Sequence, residues 1–199
     1  MQNLINGIRK YQPEVIIFQE IIRKKEVNVL QMLQQELDYE YSEFAFKQDF
    51  SKDYGKGILQ EESVEEGLAI LSKIRFNSQK IDLPIIKRKD RWPRIVVKYS
   101  FEGFTLCNLH FSKLRESREQ AVKHLPEADI YAGDFNMQPD ELKKYFQYSN
   151  SFEKKNYFSY PSKELTLDYV LAKTGILKSI EVINNVSDHN ALFVEWEKQ

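Results

Sequence analysis

Residues 128–136 read ADIYAGDFN: an apolar run, Ile130-Tyr131-Ala132, that ends in Gly133, the carboxylate of Asp134, Phe135 and the amide of Asn136. On a strand, residues i and i+2 share a face. Asp134 and Asn136 are therefore predicted to project together where a strand gives way to a loop. Two polar side chains on one face are costly in a core and useful in a site. The spacing predicts a helix over 114–124 before this strand, and Pro139 marks the start of another at 139–147.

Outward from that strand, the chain alternates short apolar runs with polar turns. Asn3 to Tyr11 has Leu4, Ile5, Ile8 and Tyr11 at helical spacing and stops before Pro13. EVIIFQE then reads as a buried strand over 15–18 that ends in Gln19 and Glu20, and 27–37 as a second amphipathic helix. Strands are expected at 41–47, 67–72, 79–86, 94–100 and 103–111, with a polar loop over 48–65. LTLDYVLAK, LKSIEVINN and NALFVEWEK supply three more near the C-terminus. That makes about nine strands, several in succession without a helix between them. A purely parallel doubly wound sheet fits this poorly; an α+β fold with two mixed, largely antiparallel sheets and helices outside fits it well.

At 199 residues the chain is expected to form a single domain, 1–199, large enough to bury a substantial core. With 42% hydrophobic and 30% charged residues it reads as folded rather than disordered. A net charge of −1 excludes a generally basic surface for gripping long nucleic acid but leaves room for a local basic groove. No apolar run approaches the roughly 20 residues of a membrane span, and the N-terminus has neither the layout of a secretory signal nor that of a transit peptide. The single cysteine, Cys107, has no internal disulfide partner, which points to a reducing compartment such as the cytosol. Its apolar-leaning setting reads as a small buried hydrophobe rather than a nucleophile.

The chemistry-bearing residues gather at strand ends. Glu20 closes the first strand, where sites are commonly built. In TLCNLHFSK, Thr105, Cys107, Leu109 and Phe111 share one face; Leu106, Asn108, His110 and Ser112 share the other. Asn108 and His110 then form a polar pair at a strand end. Asp168 lies among apolar residues and needs a partner, since an unpaired buried carboxylate costs several kcal/mol. The segment NNVSDHNALFVEW offers His189, preceded by Asp188. Both can line one pocket only if the chain is still in a turn there, which Asn184, Asn185 and Ser187 favour. His124 reads as a helix-end residue. The basic run Lys87-Arg88-Lys89-Asp90-Arg91, with Arg94 behind it, reads as a solvated loop with a phosphate-contacting edge as the sharper alternative. The acidic run Glu61-Glu62 and Glu65-Glu66 reads as a solvated loop. Carboxylates, amides and histidines at separate strand ends are what phosphate chemistry with a hard cation requires. One cysteine and three scattered histidines give no zinc-ligand spacing.

An ordered series of segments, PEVIIFQE (13–20), EGLAILSK (66–73), NLHFSK (108–113), GDFNMQP (133–139), YPSKELTLDYVLA (160–172) and SDHNALFVEW (187–196), resembles the endonuclease/exonuclease/phosphatase superfamily, the DNase I-like fold. The resemblance spans nearly the whole chain. It implies a four-layer α/β/β/α sandwich and metal-dependent cleavage of a phosphoester, with Mg²⁺ or Mn²⁺. It implies Glu20 and Asp188 at the metal, Asp134 orienting or activating the water with Asn136 on its phosphate side, Asp168 and His189 as a carboxylate–histidine dyad, and His110 at the scissile phosphate. Arg94, and Asn108 beside His110, are the expected substrate contacts. Members usually begin with a strand ending in a metal-site asparagine, and Met1 falls almost at the helix that follows it. An unpaired sheet edge and one metal ligand fewer are the expectation. Nucleic acid is the expected substrate; alternatives are a lipid headgroup, an inositol phosphate or a small nucleotide, or a binding module without activity. No obligate protein partner is evident.

Overall fold

A computed structural model describes residues 2–24, 28–49, 64–86, 90 and 92–199. Lys87 to Lys89, Arg91, Glu61 and Glu62, parts of the two charged runs, lie outside the described residues. The chain runs α1 (Gln2–Tyr11), β1 (Val15–Lys24), α2 (Val29–Leu37), β2 (Tyr41–Asp49), β3 (Val64–Ser72), β4 (Phe76–Leu83), β5 (Arg94–Phe101), β6 (Thr105–His110), α3 (Arg115–Lys123), β7 (Ile130–Asp134), α4 (Pro139–Tyr145), β8 (Ser149–Asn150), α5 (Ser151–Lys154), β9 (Asp168–Ala172), β10 (Ile176–Ile183) and β11 (Ala191–Glu197).

Period-two alternation builds two cores on the faces of one sheet. The larger sheet has the order β4-β5-β6-β7-β9-β8, antiparallel except where α3 carries the chain from β6 to a parallel β7. Cys107 and Leu109 of β6 face α3 and α4, packing with Phe111, Ala121, Phe135 and Leu142. Leu106 on the other face joins Ile95, Val97 and Tyr99 of β5 and Ile130 of β7 in the core between the sheets. The thiol of Cys107 is buried, which pushes it up to about 12, so it is no nucleophile. Four layers result: α1 and α2 cover the outer strands through Ile8, Leu30 and Leu33.

The outer layer consists of a three-stranded sheet, β1-β3-β2, and the β10-β11 hairpin. Val15 and Ile17 of β1 and Trp196 of β11 pack on the same inter-sheet core, yet among the described residues no strand pairing joins the two units. β1 and β2 form the two ends of the three-stranded sheet. α1 ties the units together: Tyr11 stacks on Phe193 at 4.5 Å, and Asn3 donates to the Asn185 carbonyl.

Two bulges depart from the regular reading. β1 runs on to Lys24 instead of ending at Phe18, with one extra residue where Phe18 faces Ala69 and Ile21 faces Gly67. β2 gains its extra residue at Lys47, between Phe46 opposite Gly67 and Gln48 opposite Glu66. Both flank the same end of β3. That strand begins at Val64, so Glu65 and Glu66 belong to a sheet and not to a solvated loop. Glu65 pairs with Arg23 of β1, and Glu66 is buried.

Candidate active site

Sheet register brings the central residues together. His110 at the end of β6 lies opposite Asp134 at the end of β7, and Asp134 lies opposite Asp168 at the start of the antiparallel β9. Three adjacent strands thus present an imidazole and two carboxylates in one row. Facing carboxylates repel, and His189 relieves them: its Nδ1 is 2.7 Å from Asp168 Oδ2. Asp134, Asp168 and His189 offer ligand atoms within 4.8 Å of one another.

Asp134 and Asn136 do meet, though not by strand alternation. β7 ends at Asp134, and Asn136 adopts a left-handed backbone, φ 50°, that Asn tolerates. Its backbone N–H donates to Asp134 Oδ1 at 2.7 Å, and its amide to Asp134 Oδ2 at 3.1 Å and the Phe111 carbonyl at 2.9 Å. Burial, then the Asp168 charge, pushes the Asp134 carboxyl up to about 7. The bond to Asp168 outweighs burial at His189 and raises it to about 9.

The turn before β11 delivers His189. Ser187 Oγ accepts from the His189 N–H at 3.0 Å, so residues 187–189 remain a turn, but of the two adjacent residues only His189 joins the row. Asn190 fixes the loop: its backbone N–H donates to the Ser159 carbonyl and its amide to the Phe158 carbonyl. Ser159 Oγ in turn accepts the backbone N–H groups of Leu167 and Asp168. Tyr160 stacks on the His189 ring at 4.8 Å. Sequence reasoning missed the roles of Ser159, Tyr160 and Asn190, although Tyr160 and Asn190 lie inside the segments YPSKELTLDYVLA and SDHNALFVEW.

On the other flank, Glu20 sits in the β1 bulge with φ 53° and a side chain 65% exposed. Its Oε1 lies 3.7 Å from His110 Nδ1, and His110 Nε2 lies 3.5 Å from Asp134 Oδ2. Burial, then the charges of Arg94 and Lys47, holds His110 well below the usual imidazole range. Glu66 joins Glu20 and His110 in a second group of ligand atoms within 4.8 Å of one another. Lys47, the bulge residue of β2, forms a buried ion pair with Glu66; Gln48 Nε2 reaches the other Glu66 oxygen at 3.3 Å. Lys47 is not legible as a site residue in the sequence, and Glu66, although it opens the segment EGLAILSK, reads there as part of an acidic loop. Arg94, at the start of β5, is buried beside this group, and its Nε has no partner among the described residues.

Two expected contacts stand elsewhere. Asn108 is fully buried, with its amide spent inside the protein. It accepts from Gln19 Nε2 at 2.7 Å and donates to the carbonyls of Phe18 and Ala69. It clamps β6 to β1 and β3 and is not available to a substrate. Asp188 is exposed and belongs to neither group of ligand atoms, though its charge acts on His189. His124 caps α3 and bonds to the Gln120 carbonyl, a helix-end role.

The Endonuclease/Exonuclease/phosphatase family model matches residues 1–189. Curated proteins give no match. Among solved structures, an endonuclease/exonuclease/phosphatase from Beutenbergia cavernae superposes with a TM-score of 0.70 at 12% identity over 98% of this chain and 65% of its own. TDP2 from D. rerio, complexed with single strand DNA product, gives 0.64 at 16% identity over 99% of this chain and 91% of its own. The 3′ phosphatase NExo from Neisseria, bound to a product DNA hairpin, gives 0.58 at 13% over 98% and 93%. The family match over nearly the whole chain and the shared four-layer fold lead to one conclusion: the chain belongs to the endonuclease/exonuclease/phosphatase family.

Proposed function

We propose that the chain hydrolyses phosphodiester bonds of nucleic acid with the help of Mg²⁺ or Mn²⁺. The observation that carries this reading is the row His110–Asp134–Asp168 on adjacent strand ends, with His189 bonded to the last and Glu20 facing the first. Asp134, with its proton affinity raised to about 7, is matched to accept a proton from water at neutral pH. Asn136 holds both Asp134 oxygens in aim. As the water oxygen bonds to phosphorus in line, the opposite P–O bond breaks. His189, protonated up to about 9, gives its Nε2 proton to the leaving oxygen while Asp168 holds Nδ1. His110 and Arg94 face the phosphate from the β5–β6 side.

The donor set fits a hard divalent ion: Glu20 offers an open carboxylate, the buried His110 Nδ1 has no partner among the described residues, and Asp188 is the second carboxylate that the family resemblance implies. A divalent ion held by these residues would supply neutralisation of the phosphate charge.

Support for nucleic acid comes from Phe158, a ring 51% exposed, next but one to Tyr160 and bonded through its carbonyl to Asn190. Exposed rings beside a phosphate site suit base stacking. The net charge of −1 favours the second reading, a small or lipid phosphoester.

The test is a cleavage panel of single-stranded, duplex and abasic-site DNA, RNA and a generic phosphodiester, each with Mg²⁺, Mn²⁺ or chelator. Metal-dependent cutting of a nucleic acid is expected. Turnover of the generic diester alone would select the second reading, and silence from the folded chain a binding module. Asp134→Asn and His189→Ala are each expected to lower the rate by at least about a hundredfold with the fold intact.

A further inference from the structure

The cluster at the bulged ends of β1 and β2 holds more than a phosphoesterase site of this kind requires. His110 Nε2 lies 3.5 Å from Asp134 Oδ2 and Nδ1 lies 3.7 Å from Glu20 Oε1, both too long for hydrogen bonds, so neither carboxylate holds the ring proton. Nδ1 is buried and has no partner among the described residues. With the ring proton on Nε2, Nδ1 and the Glu20 carboxylate are two acceptors that a cation between them would satisfy together. The spacing suits one: ligand atoms bound at about 2.1 Å to an octahedral ion lie about 3 to 4 Å apart. Glu66 completes the set within 4.8 Å, but the Lys47 ammonium and the Gln48 amide occupy its oxygens.

We propose that a divalent cation binds between Glu20, Glu66 and His110 Nδ1, and that Lys47 is its internal competitor, an ammonium that neutralises Glu66 until the ion displaces it. The bulge at Lys47 makes this possible: a regular strand gives no residue between those opposite Gly67 and Glu66. The assignment rests on the metal-dependent reading above and moves the ligand set from Asp188 to Glu66. A buried carboxylate with a lysine already on it binds a metal ion only by exchanging partners, so affinity is set by two residues that never touch the substrate.

The test is Mn²⁺ binding to the 199-residue protein, followed by calorimetry and electron paramagnetic resonance. Relative to the parent chain, Glu66→Gln is expected to weaken binding by about tenfold or more, the usual range for groups that tune a metal site. Lys47→Met and Lys47→Gln are expected to tighten it by a similar factor, with thermal unfolding confirming that each variant is folded. Anomalous scattering from Mn²⁺ soaked into crystals of the parent chain needs no variant. Density against Glu66 with the Lys47 ammonium moved away supports the proposal; density against Glu20 and Asp188 with the Lys47–Glu66 pair intact overturns it. Binding that needs Glu20 but ignores both Lys47 and Glu66 also overturns it and leaves the phosphoesterase reading standing. No Mn²⁺ binding by the parent chain or any variant sinks both.

Discussion

His189 carries a proton because Asp168 holds its Nδ1, and that bond is the first cause of its rise to about 9 from 6.5. Asp168→Asn is therefore expected to bring the His189 titration, followed by the NMR shifts of its ring protons, back toward 6.5. The sign for stability follows from a folded-state pKa above the unfolded one. The pair's contribution is complete below pH 6.5 and disappears as the pH rises through about 9. Asp134 acts in the same direction from 3.8 to about 7, because burial makes its charged form the costly one. At this scale the sequence was legible where a residue's neighbours in the chain position it. Asp134 and Asn136 were correctly paired, although an Asx-type turn and not strand alternation joins them. Lys47 is illegible, and Glu66, although it opens the segment EGLAILSK, is not marked by it as a site residue. Each owes its place to a bulge or to a cross-strand register.

At the level of elements, the site depends on how β6 and β7 are held. Gly133 is at φ +135°, and a Cβ there would lie 2.0 Å from the Leu109 carbonyl oxygen, so the two strand ends approach as only glycine allows. Asn108 joins β6 to the outer sheet through three hydrogen bonds. Its replacement by Ala is expected to cost about 3 kcal/mol in urea unfolding, since it leaves buried polar partners unsatisfied. A cost below about 1 kcal/mol would refute the clamp. The strands themselves were readable because alternation assigned the faces of β6 correctly, with Cys107 and Leu109 toward the helices and Leu106 and Asn108 toward the other sheet. Alternation does not show how far a strand runs past a polar pair, so it ends β1 at Phe18 and begins β3 at Gly67, where the structure gives Lys24 and Val64. It also missed β8 and α5, which are too short to show a period.

Across the whole molecule, the outer layer is hydrogen-bonded in two parts, and the smaller part carries the loop that presents His189. Apart from the Asn190–Ser159 backbone bond in its loop, the β10–β11 hairpin is held to the other described residues by side chains, among them Trp196 in the shared core, Phe193 on Tyr11, and Ile183 against Gly7 of α1. Amides of β10 and β11 are expected to exchange with solvent at a lower opening free energy than those of β5, β6 and β7. Equal protection would mean that the hairpin opens only with the whole fold. The left-handed backbone of Glu20 has a wider consequence. A non-glycine residue there costs on the order of 1 kcal/mol, and its carboxylate adds repulsion to Asp134. Glu20→Gly is expected to raise the melting temperature by about 2–4 °C while removing the metal response. A melting temperature that rises as the metal response disappears would show that the bulge holds a carboxylate where the backbone alone would favour a glycine.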